Sequence, residues 1–145
     1  MNMKRTLLPV LAAALTLALA SVSCGNKPAF EQLKASVDSA NVYYAEQPEL
    51  TAPDVDLQYD EVTNTVKFIY TVNAKMAAFA KENIGYTEDM MLRTLPYAPY
   101  NLGRNMADAN ASMMIVYTWE PDGHLEYLIE SDRIKEACRE ATDGR

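Results

Sequence analysis

Asp54-Val55-Asp56-Leu57-Gln58-Tyr59-Asp60, and shortly after it Thr65-Val66-Lys67-Phe68-Ile69-Tyr70-Thr71-Val72, decide how this chain folds. Val55, Leu57 and Tyr59 alternate with Asp54, Asp56, Gln58 and Asp60. Val66, Phe68, Tyr70 and Val72 alternate with Thr65, Lys67, Ile69 and Thr71. Successive side chains of a strand point to opposite faces, so each run is a strand with one buried face. The polar stretch Glu61–Asn64 turns the chain between them, and the pair reads as a β-hairpin. Met113, Ile115, Tyr117 and Trp119 begin a second hairpin, and Leu125, Tyr127 and Ile129 return on the same face. Glu120-Pro121-Asp122-Gly123 suits a type I turn with proline at its second position and Gly123 at positive φ.

Helical spacing fills the rest. Phe30, Leu33, Val37 and then Ala40 or Asn41 recur at steps of three and four, which predicts a helix over about Pro28–Ala40, extensible to Tyr44. Pro28 suits a first helical position and Glu31 the positive end of the dipole. Gln47-Pro48 and Ala52-Pro53 end it, because a residue before proline avoids the helical region. After the first hairpin, Asn73 is expected to cap a helix with Met76, Phe79 and Ala80 inward and Gly85 as its stop. Thr87 is expected to cap another, with Glu88 and Asp89 in its first turn and Met91 and Leu95 on its apolar face. Pro96–Tyr100 ends that helix, and a short one holding Leu102, Met106 and Ala109 follows. Ser131 is expected to cap a terminal helix striped by Ile134, Ala137, Cys138 and Ala141. The expected class is α+β: an antiparallel sheet of about four strands from two hairpins, with helices mainly on one face, in a single domain over residues 28–145.

The amino terminus has a different character. Lys4 and Arg5 precede an apolar run from Leu7 to Ala20 that is too short to span a bilayer. Ser21-Val22-Ser23-Cys24-Gly25 then places small residues before a cysteine. The segment resembles the signal peptide and lipobox of bacterial lipoproteins, in the looser Bacteroidota-type form, with Ser21 where leucine is usual. That resemblance implies a signal peptide over residues 1–23, cleavage before Cys24 and diacylglycerol on its sulfur. Residues 24–27 then become a lipidated cysteine and tether, and the membrane becomes a partner through that lipid. No acidic export signal follows Cys24, and Gly25 is not the aspartate associated with inner-membrane retention. The implied address is therefore the periplasmic side of the outer membrane. The pattern from Pro28 to Arg139 is also similar to small lipoprotein domains of this type, without any motif of known chemistry. Gly25-Asn26-Lys27 reaches only about 10 Å at full extension, which keeps such a domain close to its anchor.

Cleavage before Cys24 would leave 122 of the 145 residues, enough for one modest core. It would remove Lys4 and Arg5 and no acids, moving the formal charge from −7 to −9. So acidic a domain repels nucleic acid and lacks a polybasic patch for anionic lipid. With Cys24 acylated, Cys138 is the remaining thiol; with Cys24 unmodified, a Cys24–Cys138 bridge is the alternative.

Catalytic patterns are missing. His124 is the only histidine, so no paired-histidine metal site exists, and its place after a turn suits a solvated residue. Cys138 lies on an apolar helical stripe and reads as a packed small hydrophobe rather than a nucleophile served by His124. Asp54, Asp56, Asp60 and Glu61 lack the glycine and spacing of a calcium loop. Neither a phosphate loop nor a nucleophile elbow occurs. The expectation is a non-enzymatic envelope lipoprotein, without cofactor or metal, that binds another envelope protein.

The alternative is a carbohydrate- or small-ligand-binding module using Tyr97 and Tyr100, aromatic rings in a proline-punctuated loop. A further candidate surface is the sheet face opposite the core, where Ile69, Met114, Val116 and Leu128 are apolar. Either the loop around Pro96–Gly103 folds over them or a partner does, and the loop is favoured because monomers rarely leave such patches bare. A concave aromatic-lined pocket argues for a ligand, a flat apolar patch for a protein.

Overall fold

The computed structural model describes residues 28–47 and 54–144. Helix α1 (Ala29–Glu46) precedes strands β1 (Asp54–Asp60) and β2 (Thr65–Thr71). Helices α2 (Ala74–Glu82) and α3 (Ile84–Thr94), two 3-10 turns (Leu95–Tyr97 and Pro99–Asn101) and helix α4 (Leu102–Asp108) follow. Strands β3 (Ser112–Trp119) and β4 (Gly123–Ile129) and helix α5 (Ser131–Asp143) complete the α+β fold.

Both hairpins form with the expected residues on one face, Leu57 opposite Phe68 and Ile115 opposite Tyr127. The join between them differs from expectation. The sheet order is β1-β2-β3-β4, and β2 pairs with β3 in parallel, Val66 opposite Met113, so the sheet is mixed rather than antiparallel throughout. Parallel neighbours need a crossover of a dozen residues or more, and α2, α3 and α4 supply it.

One face of the sheet carries the core. Leu57, Val66, Phe68, Met113, Ile115, Tyr117 and Ile129 meet Leu33 and Val37 of α1, Leu102 and Met106 of α4, and Ile134 of α5. Asn41 of α1 continues the sheet's hydrogen bonding: its Nδ2 donates to the Leu57 carbonyl and its Oδ1 accepts from the Leu57 N–H, both at 2.7 Å. At the β1–β2 turn, the Tyr59 hydroxyl donates to Asn64 Oδ1 at 2.7 Å, and Asn64 Nδ2 donates to the Ala109 carbonyl at 2.8 Å. Asn64 thereby ties the hairpin turn to the turn that leads into β3.

Several local expectations are corrected. Asn73 does cap α2, accepting from the Met76 N–H at 2.8 Å, but Ala77 and Ala80 face inward while Met76 and Phe79 stand exposed. Alanines let the short helix lie close against the sheet, and the larger side chains flank that contact. Gly85 and Thr87 lie inside α3, and Asn83 makes the break between the helices. Met91 packs half-buried against the core as expected, and Leu92, not singled out in the sequence, is buried there with Leu95. Gly123 does not take positive φ; a Cβ there would overlap the Trp119 indole, its partner across the hairpin. Glu130, not Ser131, precedes α5, and no side chain caps that helix.

Candidate binding groove

Helices α2 and α3 form a tight corner at Asn83. The Asn83 N–H donates to the Phe79 carbonyl at 3.0 Å, its Nδ2 donates to the same oxygen at 2.8 Å, and its carbonyl accepts from the Thr87 N–H and hydroxyl, each at 3.0 Å. The corner aims Met76 and Phe79, three residues apart on α2, and Tyr86 and Met90, four apart on α3, into one concavity. Val72, Tyr70, Tyr117 and Met91 are its remaining large apolar lining, and its volume is about 620 Å³. Met76 is 41% exposed, Phe79 57%, Tyr86 60% and Met90 45%. Lys75 is the single charged residue of the lining, and it makes no ion pair among the described residues.

The base of the groove is phenolic. Tyr70 and Tyr117 stack with centroids 5.6 Å apart, and Tyr117 lies 6.4 Å from Tyr127. Tyr70 points its hydroxyl at Met91 Sδ, 3.6 Å away. The Tyr127 hydroxyl is buried without a hydrogen-bond partner among the described residues. Burial pushes the Tyr70, Tyr117 and Tyr127 phenols above the ordinary tyrosine value, since a phenolate would lose its hydration there.

Tyr70 and Met91 also line a second concavity of about 410 Å³, together with Tyr43, Tyr44, Phe68, Tyr97 and Pro99. Tyr97 belongs to this cleft and is largely exposed. Tyr100 does not line it, but meets Tyr43 edge-on at 6.3 Å, and Tyr43 meets Tyr44 edge-on at 5.6 Å. Tyr100 and Asn101 both adopt positive φ, 58° and 55°. A buried relay holds that bend: Asn105 Nδ2 donates to Ser36 Oγ at 2.5 Å, and Ser36 Oγ donates to the Tyr100 carbonyl at 2.9 Å. The two loop tyrosines therefore flank one aromatic strip without sharing a pocket.

Ile69, Met114, Val116 and Leu128 do lie on the sheet face away from the core, but not as a bare patch. Val116 is only 6% exposed, between Ile69 and Glu126 in the register, while Ile69 and Met114 are half-buried. Leu128 alone of the four is exposed. The cover expected from the Pro96–Gly103 loop is not what shields Val116, since those turns pack on the helical side against α1, α3, α4 and α5. Cys24 lies outside the described residues. Cys138 is buried; desolvation pushes its thiol up, with the Arg104 cation pulling back. His124 contacts Glu126 at 3.0 Å in solvent. Among the described residues no cluster of three histidine, cysteine or carboxylate side chains could hold a metal.

The α2–α3 groove escapes a reading by periodicity because its residues resemble core residues. Two signals point to it nonetheless. Adjacent Met90 and Met91 lie about 100° apart and widen the apolar face of α3, and Met76 and Phe79 compete with Ala77 and Ala80 for one side of a nine-residue helix. Comparison with known proteins finds no family model, no curated protein and no solved structure that matches the chain.

Proposed function

We propose that the chain is a lipid-anchored, non-enzymatic protein of the bacterial envelope whose domain binds another envelope protein through the α2–α3 groove. The observation that carries this reading is the gathering of four exposed large apolar side chains, Met76, Phe79, Tyr86 and Met90, around one concavity. Contiguous exposed apolar surface costs solubility unless a partner covers it, and methionine-rich walls adapt to varied contacts. Anchoring rests on the Lys4–Cys24 segment and would set the domain on the periplasmic side of the outer membrane. Fractionation tests the anchor: the native protein should sediment with membranes, and Cys24→Ala should be soluble or uncleaved. Sedimentation unchanged by Cys24→Ala would refute lipidation.

A second reading, carbohydrate binding, is favoured by one observation. Tyr100 is held in a strained, prearranged conformation by Ser36, with its ring beside Tyr43 and near the cleft of Tyr97. Aromatic faces set in advance stack on sugar rings at little entropic cost. Titration with soluble oligosaccharides, against Tyr97→Ala and Tyr100→Ala, separates the readings: a sugar-binding domain loses its binding in both variants.

A further inference from the structure

Three features of the α2–α3 groove narrow what can occupy it, given the proposed function on which this inference rests. The first is its backbone setting. β2 and β3, whose Tyr70 and Tyr117 line the groove, are interior strands of the sheet, with every edge-forming position taken by a neighbour. An extended peptide therefore finds no unpaired strand there to augment. A helix brings its own backbone hydrogen bonds already satisfied and needs only side-chain contacts. The walls match that mode, since Met76 and Phe79 at a spacing of three face Tyr86 and Met90 at a spacing of four, ridges against which another helix packs. A single acyl chain fits less well. Ligand pockets bury most of their ligand, whereas these walls remain 41–60% exposed and need a broader cover.

The second feature is charge. The described surface of this acidic chain meets the groove with one charged residue, Lys75, and that residue is a cation without an ion pair among the described residues. An apolar occupant with one carboxylate beside Lys75 satisfies it, and a basic residue there would be repelled.

The third feature is position. α1 begins at the pole of the β1–β2 turn: Ala29 and Phe30 lie by Tyr59, Asn64 and Asn110, and Lys34 pairs with Glu61 at 2.8 Å. The groove opens at the other pole, beyond Tyr70 and Val72. Strand β2 separates the two by roughly 20 Å at the usual rise per residue. The described chain begins at this first pole, so the groove sits at the end remote from the start of α1.

We infer that the groove docks an amphipathic helical segment of a second protein, with an acidic residue beside Lys75, at the pole remote from the start of α1. The test uses the full chain in its native cell, with a benzophenone amino acid in place of Met90 and, as control, of Leu128 on the far sheet face. Irradiation is followed by sequencing of the crosslinked peptide. The expected result is a discrete protein adduct from position 90 and none from 128. The captured peptide should show apolar residues at helical spacing and an Asp or Glu within one turn. Lys75→Glu and Phe79→Glu, both surface changes that should leave the thermal transition in place, should each cut the adduct at least tenfold. Adducts to lipid, to the chain itself or to a second copy overturn the inference. So does a peptide without an acid, insensitivity to Lys75→Glu, or the lack of any adduct at position 90. Fractionation of the same cells keeps the anchor separate: a soluble protein that still forms the adduct removes the lipid anchor and leaves the groove assignment intact.

Discussion

The two ends of the sheet treat the same residue types in opposite ways. Toward the β1–β2 turn, Met106 and Met113 are fully buried, together with Leu33, Leu102, Ile115 and Ile134, under α1, α4 and α5. Toward the other end, Met76 and Met90 stand in solvent beside Phe79 and Tyr86. The difference lies in what covers each end. Three helices close over the first, whereas α2 and α3 form a corner that buries Ala77, Ala80 and Leu92 and splays its larger side chains outward. Side chains that stabilise one pole are left available for binding at the other.

The largest effect should come from breaking the closed pole. Met113→Ala or Ile115→Ala removes a fully buried side chain and should cost about 2–5 kcal/mol, read from urea unfolding. Alkali should act next, and on the phenols at the boundary between the poles. Tyr44, Tyr70, Tyr117 and Tyr127 are raised by burial, so their folded forms hold protons that the unfolded chain has released. That stabilisation is complete below the unfolded value of about 10 and is lost as pH rises above it. Tyrosinate absorbance should therefore appear together with loss of structure, and phenols that ionise in the intact fold would contradict the burial described. Cys138→Ser is smaller, about 1–3 kcal/mol for a buried hydroxyl in place of a thiol. The native thiol should resist a bulky maleimide until the protein is denatured. Changes on the open pole should be smallest: Phe79→Ala should shift stability by no more than about 0.5 kcal/mol, the range of ordinary surface substitutions.

The hairpins were legible because alternation over Val55–Tyr59, Val66–Val72 and Met113–Trp119 leaves one register in which the aromatic residues share a face. The inward stripes of α4 and α5, and of α1 from Leu33 to Ala40, were legible for the same reason at a period of 3.6, whereas Phe30, read on the same stripe, is 51% exposed. The parallel join of β2 and β3 was not, because local pattern says nothing about which strands meet across a crossover of three helices. The outward turn of Met76 and Phe79 was not legible either. It depends on how closely two alanines let α2 approach the sheet, a tertiary fact that overrides the apolar pattern. Tyr97 and Tyr100 could be placed in a loop beforehand, but their aromatic neighbours Tyr43 and Tyr44 come from a helix more than fifty positions earlier.

The most direct test of the open pole is equilibrium urea unfolding of the double variant Phe79→Glu, Met90→Glu beside Met113→Ala. If the groove is a free surface, the double variant should lose less than about 1 kcal/mol, against about 2–5 kcal/mol for Met113→Ala. A loss in the double variant equal to that of Met113→Ala would mean that Phe79 and Met90 belong to the core and that no open groove exists.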